Sequence, residues 1–394
     1  MRIFISTGEV SGDLQGSLLV GALRQQAEEQ NLELELVGLG GEKMAAAGLT
    51  LLANTAAIGS VGLTESLRFI IPTWQIQQRV KRYLQTNPID LLVLIDYMGP
   101  NLTIANYLRK TYPDLPILYY IAPQAWVWSP TKRETTQIMA VTDRLLAIFP
   151  GEAEFFRKQG LDVTWVGHPL LDRITKEAPS RGEAREKLGI DQNETVITLL
   201  PASRIQELHY LLPPICGAAK QLQSQLPNVK LLLPVSLKDY QPQIEATLKE
   251  FNLTVQLLDG KETLTAIAAA DLAITKSGTV NLEIALLNVP QVILYRVSPL
   301  TMAIARRIFK FNLPFVSPTN IVLNRGIMPE LLQEQATASN IAQAGLELLL
   351  NGDRQAKIAQ DYQELREALG EPGVCERAAQ AVLEFANGQQ KSRA

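Results

Sequence analysis

The residues best suited to chemistry fall where short apolar runs stop. The run Leu91–Ile95 ends in Asp96, followed by Tyr97-Met98-Gly99-Pro100-Asn101. A carboxylate directly after a buried strand sits at a ligand-facing edge, where apolar surroundings hold it ready as a base. The alternative is an Asx turn ahead of Pro100. The run Arg2–Ser6 leads into Thr7-Gly8-Glu9-Val10-Ser11-Gly12-Asp13. Its two glycines permit a tight strand-to-helix turn whose amides can face a ligand. Glu9 is the next carboxylate available as a base, and Ser11, Gly12 and Asp13 are expected to meet an acceptor. A plain first turn capped by Ser11 or Asp13 is the alternative.

The second half repeats this arrangement with cations and hydroxyls. Thr198-Leu199-Leu200-Pro201-Ala202-Ser203-Arg204 places a guanidinium at a helix start, where it can grip a phosphate with two parallel hydrogen bonds. In Ile274-Thr275-Lys276-Ser277-Gly278-Thr279-Val280-Asn281-Leu282-Glu283, the residues Ser277, Gly278 and Thr279 open a helix whose free amides and dipole favour a pyrophosphate. Glu283, about one turn on, is placed for sugar hydroxyls, and Arg296 after Tyr295 adds a cation at the same edge. Asn320, in Ser317-Pro318-Thr319-Asn320, is able to orient a hydroxyl, whereas His168 reads as a packed histidine.

Several chemistries find no support. The first turn is not GxGxxG, so the dinucleotide fingerprint fails. No DxD pair flanks a strand, and two histidines cannot form a three-histidine zinc site. No metal and no cofactor is therefore expected, with positive groups and helix starts carrying leaving-group charge. Cys216 and Cys375 lie far apart and suit a reducing compartment.

The elements that must position these residues alternate between strand-length and helix-length segments, the rhythm of parallel α/β sheets. Strands are expected at Arg2–Ser6, Leu34–Gly38, Leu91–Ile95, Ile117–Ile121, Leu145–Phe149 and Val163–Val166. A second set follows at Val196–Leu200, Lys230–Val235, Leu253–Leu258, Leu272–Thr275 and Val292–Tyr295. The 394 residues suit two domains, and the polar stretch Lys176–Arg185 marks the hinge. The expected division is 1–175 for the acceptor, 176–350 for a nucleotide sugar, and a helical segment 351–394. A net charge of −3 gives no reason to expect nucleic acid.

No apolar run approaches the ~20 residues that span a bilayer. Leu63, Leu67, Ile70, Ile71 and Trp74 nonetheless follow helical spacing, with Arg68, Arg79, Lys81 and Arg82 nearby. Leu300, Met302, Ile304, Ile308 and Phe309 form a similar mixture with Arg306, Arg307 and Lys310. Such segments can lie in a membrane interface. Against this, Pro72 interrupts the first helix, and any sheet-packed helix needs an apolar face.

Taken together and in order, these motifs resemble the lipid-A-disaccharide synthase family over nearly the whole chain. The likeness rests on Gly8-Glu9-x-Ser11-Gly12-Asp13, Ile95-Asp96 with Asn101-Leu102-Thr103, Gly167-His168, Leu199-Leu200-Pro201-x-Ser203-Arg204, Ser277-Gly278-Thr279 with Leu282-Glu283, Tyr295-Arg296, and Asn320 followed by Glu330-Leu331-Leu332-Gln333-Glu334. The resemblance implies the GT-B fold, two Rossmann-like domains facing across a cleft, with C-terminal helices returning to the first. It implies inverting transfer of 2,3-diacylglucosamine from UDP to 2,3-diacylglucosamine 1-phosphate, at the cytoplasmic face of the inner membrane, by a chain able to dimerise. Asp96 matches the family's essential aspartate, Arg204 and Glu283 its nucleotide site, and Asn320 a residue important for activity.

The pattern departs from the family at three places. Gly99 stands where a second aspartate is common, which removes a partner for any two-carboxylate proton relay. Ala202 replaces a glycine, and Pro318-Thr319 replaces the usual pair before the asparagine. A UDP-sugar 2-epimerase, a paralogous transferase with another acceptor, and a non-catalytic nucleotide-sugar-binding protein remain the alternatives.

Overall fold

The computed structural model describes residues 1–56, 70–127, 132–202, 205–298, 302 and 313–393. The chain forms two compact units, Met1–Asp172 with Leu369–Ala394, and Arg173–Ala368.

The first unit is built on seven parallel strands: β1 (Arg2–Ser6), β2 (Glu35–Gly40), β3 (Thr50–Asn54), β4 (Leu91–Ile95), β5 (Ile117–Tyr120), β6 (Arg144–Ala147) and β7 (Asp162–Trp165). Their spatial order is β3-β2-β1-β4-β5-β6-β7. The second unit has β8 (Thr195–Leu200), β9 (Val229–Val235), β10 (Gln256–Asp259), β11 (Leu272–Lys276), β12 (Gln291–Tyr295) and β13 (Glu330–Leu332), in the order β10-β9-β8-β11-β12-β13. Central strands such as β4 and β5 are buried along their whole length, which is why they read as unbroken apolar runs.

Both sheets carry the same topological seam. Chain progress reverses between β1 and β4 in one and between β8 and β11 in the other. Ligands of such sheets bind beyond the carboxyl ends of the strands at that seam.

Two strands were not expected from sequence, β3 and β13, and both are sheet edges. β3 is only half-buried and β13 is three residues long, so neither shows a continuous apolar run. Pro72 does not break its helix. It lies in the first turn of Ile70–Thr86, where its missing N–H has no intrahelical partner to lose.

The C-terminal helices divide between the units. Gly352–Leu369 packs in the second, where the Tyr362 hydroxyl donates to Val289 O at 3.0 Å. Val374–Arg393 returns to the first. There the Asp172 carboxylate accepts from Gly373 N (2.6 Å) and Cys375 N (2.7 Å), and Gln26 Nε2 donates to Glu376 O at 2.9 Å.

Candidate active site

In the first unit the seam is marked by backbone strain. Among the described residues nine non-glycines have positive φ, and six of these are Asn or Gln. The other three are Asp96 (+45°), Tyr97 (+48°) and Ile121 (+65°). They meet at one place, because Asp96 N donates to Ile121 O at 2.9 Å. Each such residue costs about 1–3 kcal/mol and persists only where its surroundings impose it.

The surroundings here are specific. The carbonyl of Asp96 accepts from Asn101 Nδ2 (2.8 Å) and from the Tyr119 hydroxyl (2.9 Å). Asn101, fully buried, also donates to Ile95 O and accepts from Ser6 Oγ at 2.7 Å, tying β4 to β1 across the seam. Burial, reinforced by the charge of Asp96, raises the Tyr119 hydroxyl well above the usual tyrosine range, so it stays protonated as a donor. The Asp96 main chain is thereby fixed, and the residue is half-buried at a strained turn.

Tyr97 packs its ring against the β1 turn. A Cβ on Gly8 would lie 2.0 Å from the ring, so only glycine admits this contact. Burial and the charge of Glu9 both raise the Tyr97 hydroxyl, placing Glu9 on the same edge as Asp96. Glu9 itself occupies the cap position of the helix Val10–Glu29, in extended conformation. The expected caps, Ser11 and Asp13, are inside that helix. Ser11 is half-buried in its first turn, and Gly12 is buried beneath the Thr7 hydroxyl.

Asp13 departs from the expectation of acceptor contact. Its two oxygens accept from the amides of Gly41 (2.7 Å), Met44 (3.1 Å) and Lys43 (3.2 Å), capping the short helix Glu42–Ala46. At 6% exposure it serves the fold.

Two other buried ionisable groups brace the edge. Glu152 accepts from Ala122 N, Ile148 N and Phe149 N, holding the loops after β5 and β6, and burial pushes its carboxyl up to about 7. His168 accepts from Leu170 N on Nδ1 and packs on Phe149, and burial pushes it down to about 3, so it is neutral and structural.

In the second unit the seam carries Lys276 at the end of β11, then Ser277-Gly278-Thr279. Two amides expected to be open are already engaged. Ser277 N donates to Leu294 O, and Gly278 N donates to Asn281 Oδ1 at 2.7 Å. The helix Val280–Leu286 is only two turns long. The pyrophosphate reading therefore shifts from the first two amides to Thr279 and to side chains. Asn281 is fully buried and its Nδ2 donates back to Lys276 O (3.1 Å) and to Gln291 Oε1 (3.1 Å). The two seams thus share one device: an asparagine five residues on reaches back to the strand-end carbonyl, of Asp96 in one unit and of Lys276 in the other.

Glu283 is nearly buried and forms an ion pair with Arg173, Nη1 to Oε1. Arg296 is exposed after β12, and Arg204 lies outside the described residues. Lys276 carried no expected role from the sequence. Its signal was a cation ending the buried run Leu272–Thr275.

Asn320 also departs from expectation. It is 1% exposed, and its amide is saturated. Oδ1 accepts from Ile327 N and Met328 N, both at 3.0 Å, while Nδ2 donates to Met328 O (2.9 Å) and Glu330 Oε1 (2.8 Å). With two donors and two acceptors all used, nothing is left for a sugar hydroxyl. Glu330 in turn accepts from Val316 N, and Val316 O accepts from Ser277 Oγ at 2.9 Å. Asn320 thus reaches the Ser277 turn only through Glu330 and Val316.

Of the apolar surface residues, Ile70, Ile71 and Trp74 are 57%, 67% and 61% exposed, while Gln77, Val80 and Leu84 face inward on the same helix. Leu63 and Leu67 lie outside the described residues, as do Leu300 and the other members of the second segment except Met302, which is buried. No described helix is long and apolar enough to cross a membrane.

A curated lipid-A-disaccharide synthase of Synechocystis sp. is 97% identical over 394 residues, covering all of both chains. One from Gloeothece citriformis is 57% identical over 98% of this chain and all of its own. Among solved structures, a putative UDP-N-acetylglucosamine 2-epimerase of Listeria monocytogenes superposes with a TM-score of 0.66 at 14% identity, covering 98% of this chain and 97% of its own. MurG of Acinetobacter baumannii gives 0.58 at 16% identity, covering 97% and 99%. At such identities these two speak for the fold alone, that of the GT-B glycosyltransferases and epimerases. The sequence model of the lipid-A-disaccharide synthetase family matches residues 3–385, and with these full-length relatives it establishes that the chain belongs to that family.

Proposed function

We propose that the chain condenses UDP-2,3-diacylglucosamine with 2,3-diacylglucosamine 1-phosphate, giving the β-1,6-linked disaccharide 1-phosphate and UDP with inversion at the anomeric carbon. The observation that carries this reading is the family match over residues 3–385. In the first unit Asp96 is the base: it takes the proton of the acceptor hydroxyl as that oxygen bonds to the anomeric carbon. The anomeric C–O bond to the β-phosphate breaks, and its electron pair leaves on UDP. Glu9 and Ser11 flank the acceptor on the same edge.

The second unit holds the donor. Ser277, Gly278 and Thr279 surround the diphosphate, with Arg204 and Arg296 adding charge, and Glu283, steadied by Arg173, addresses donor hydroxyls. A hydroxyl is a poor nucleophile until deprotonated, and a positioned base supplies about 10²–10⁴ in rate. The imposed strain at Asp96 and Tyr97 supports this assignment, since such conformations concentrate where function requires them.

The exposed Ile70, Ile71 and Trp74 support peripheral binding to the cytoplasmic face of the inner membrane, where both acylated substrates reside. Self-association into a dimer is the remaining partner expectation, readable by sedimentation velocity. The test of the reaction is UDP release with acylated and unacylated donors. The expected result is one UDP per disaccharide, only when the donor is diacylated and the acceptor is present. A C2-epimerised sugar without lasting UDP release overturns the transferase reading in favour of an epimerase.

A further inference from the structure

The shared device at the two seams gives Lys276 the same station in its sheet that Asp96 holds in the other. β11 lies beside β8 as β4 lies beside β1, and an asparagine five residues on reaches back to the strand-end carbonyl in each case. The lysine side chain does not extend away from the strand. A Cβ on Gly278 would meet Lys276 Nζ at 2.7 Å, so the ammonium folds directly over the glycine of the turn. Gly278 sits at φ +155°, a conformation unfavourable to side chains, and its lack of a side chain leaves room for that ammonium. Lys276 is 16% exposed and lies 3.9 Å from Glu207 Oε1, on the helix Ile205–Gln225 that follows β8. The ammonium thus lies close to both the Gly278 turn and Glu207.

We propose that Lys276 is the ammonium that binds the diphosphate of the nucleotide-sugar donor, and that Glu207 competes with the diphosphate for it. This deepens the donor-site reading above and rests on it. With Ser277 N and Gly278 N already engaged, the turn has two fewer amides for an anion, and a side-chain cation beside it takes on more of that task. An ammonium is suited to this place, because it acts as a compact point charge toward oxygens whose position shifts as the leaving group departs. Its pairing with Glu207 at 3.9 Å is long for an ion pair, so exchange to a nearer, doubly charged ligand is favourable.

The experiment measures UDP and uridine affinity by calorimetry, at two salt concentrations, on the full chain and on Lys276→Gln, Lys276→Arg and Glu207→Gln. Lys276→Gln should weaken UDP by about 10- to 100-fold, the range of a charge-assisted contact, and leave uridine unchanged. Lys276→Arg should recover part of the loss, and the salt dependence of UDP binding should flatten in Lys276→Gln. Glu207→Gln leaves the lysine in place and should tighten UDP. Equal UDP affinity in wild type and Lys276→Gln overturns the lysine's role, and unchanged or weaker UDP binding in Glu207→Gln overturns the competition. Absence of UDP binding to the wild-type chain overturns the donor-site reading itself, a separate result.

Discussion

Asn320 offers the sharpest test of reasoning from geometry, because its sequence role and its structural role predict different measurements. In Asn320→Ala the buried Met328 N and Met328 O lose their partner, while Ile327 N keeps Arg325 O and Glu330 keeps Ser317. A buried polar group left unpaired costs about 1–3 kcal/mol, and water entering the vacated volume recovers some of them. A net loss of about 3 kcal/mol is expected. In a unit of this size 1 kcal/mol moves Tm by about 2–4 °C, so the second unit should melt roughly 6–12 °C lower. Calorimetric melting, with turnover measured well below the transition, reads both effects. Turnover should also fall, because Glu330 loses one of its four contacts and Val316, which it holds, then fixes Ser277 less firmly. Glu330→Gln, in the same network, should show the same paired loss. A Tm within 1–2 °C of wild type together with a large drop in kcat refutes the positioning role and returns Asn320 to substrate contact.

Four further outcomes are expected. Asp96→Asn keeps the shape and removes the basicity, so kcat should drop by about 10²–10⁴ while UDP affinity stays near wild type; retention of more than about a tenth of the rate excludes Asp96 as the base. Chelation with EDTA should leave turnover intact, given the absence of a DxD pair in the sequence, and a tenfold loss restored by Mg²⁺ refutes metal independence. Ile71→Ser with Trp74→Ser should reduce binding to anionic vesicles without lowering Tm, both residues being exposed; undiminished binding removes them from the membrane contact. Burial raises the folded Glu152 carboxyl from 4.5 to about 7, so the folded state holds the proton more tightly than the unfolded one. That contribution is complete below pH 4.5 and is lost as pH rises to about 7, so urea-measured stability of the first unit should decline across that window, and Glu152→Gln should flatten the slope.

How much of this was legible beforehand depended on the range of the interaction involved. The buried central strands announced themselves, since a strand covered on both faces must be apolar throughout, and β4 and β11 end where their chemistry-bearing residues begin. Strand ends, glycine turns and the order of motifs are properties of neighbours in the chain. They sufficed for the two α/β sheets, the family and the placement of Asp96 and Ser277–Thr279 at strand ends. Edge strands β3 and β13 escaped because an edge needs only one apolar face and few residues.

Which polar groups are already spoken for was decided only by tertiary structure. Asp13 looked available until the chain brought Gly41, Lys43 and Met44 to it, about thirty residues on. Asn320 looked like a ligand contact until the loop reaching Glu330 consumed its whole amide. Lys276 fell just past its expected strand with no role, whereas in the fold Gly278 makes room for its ammonium and the helix after β8 sets Glu207 beside it. Hydrogen-bonding capacity is a property of the residue type, but its expenditure depends on partners that sheet order brings into reach, and strand order is not written in any local run of sequence.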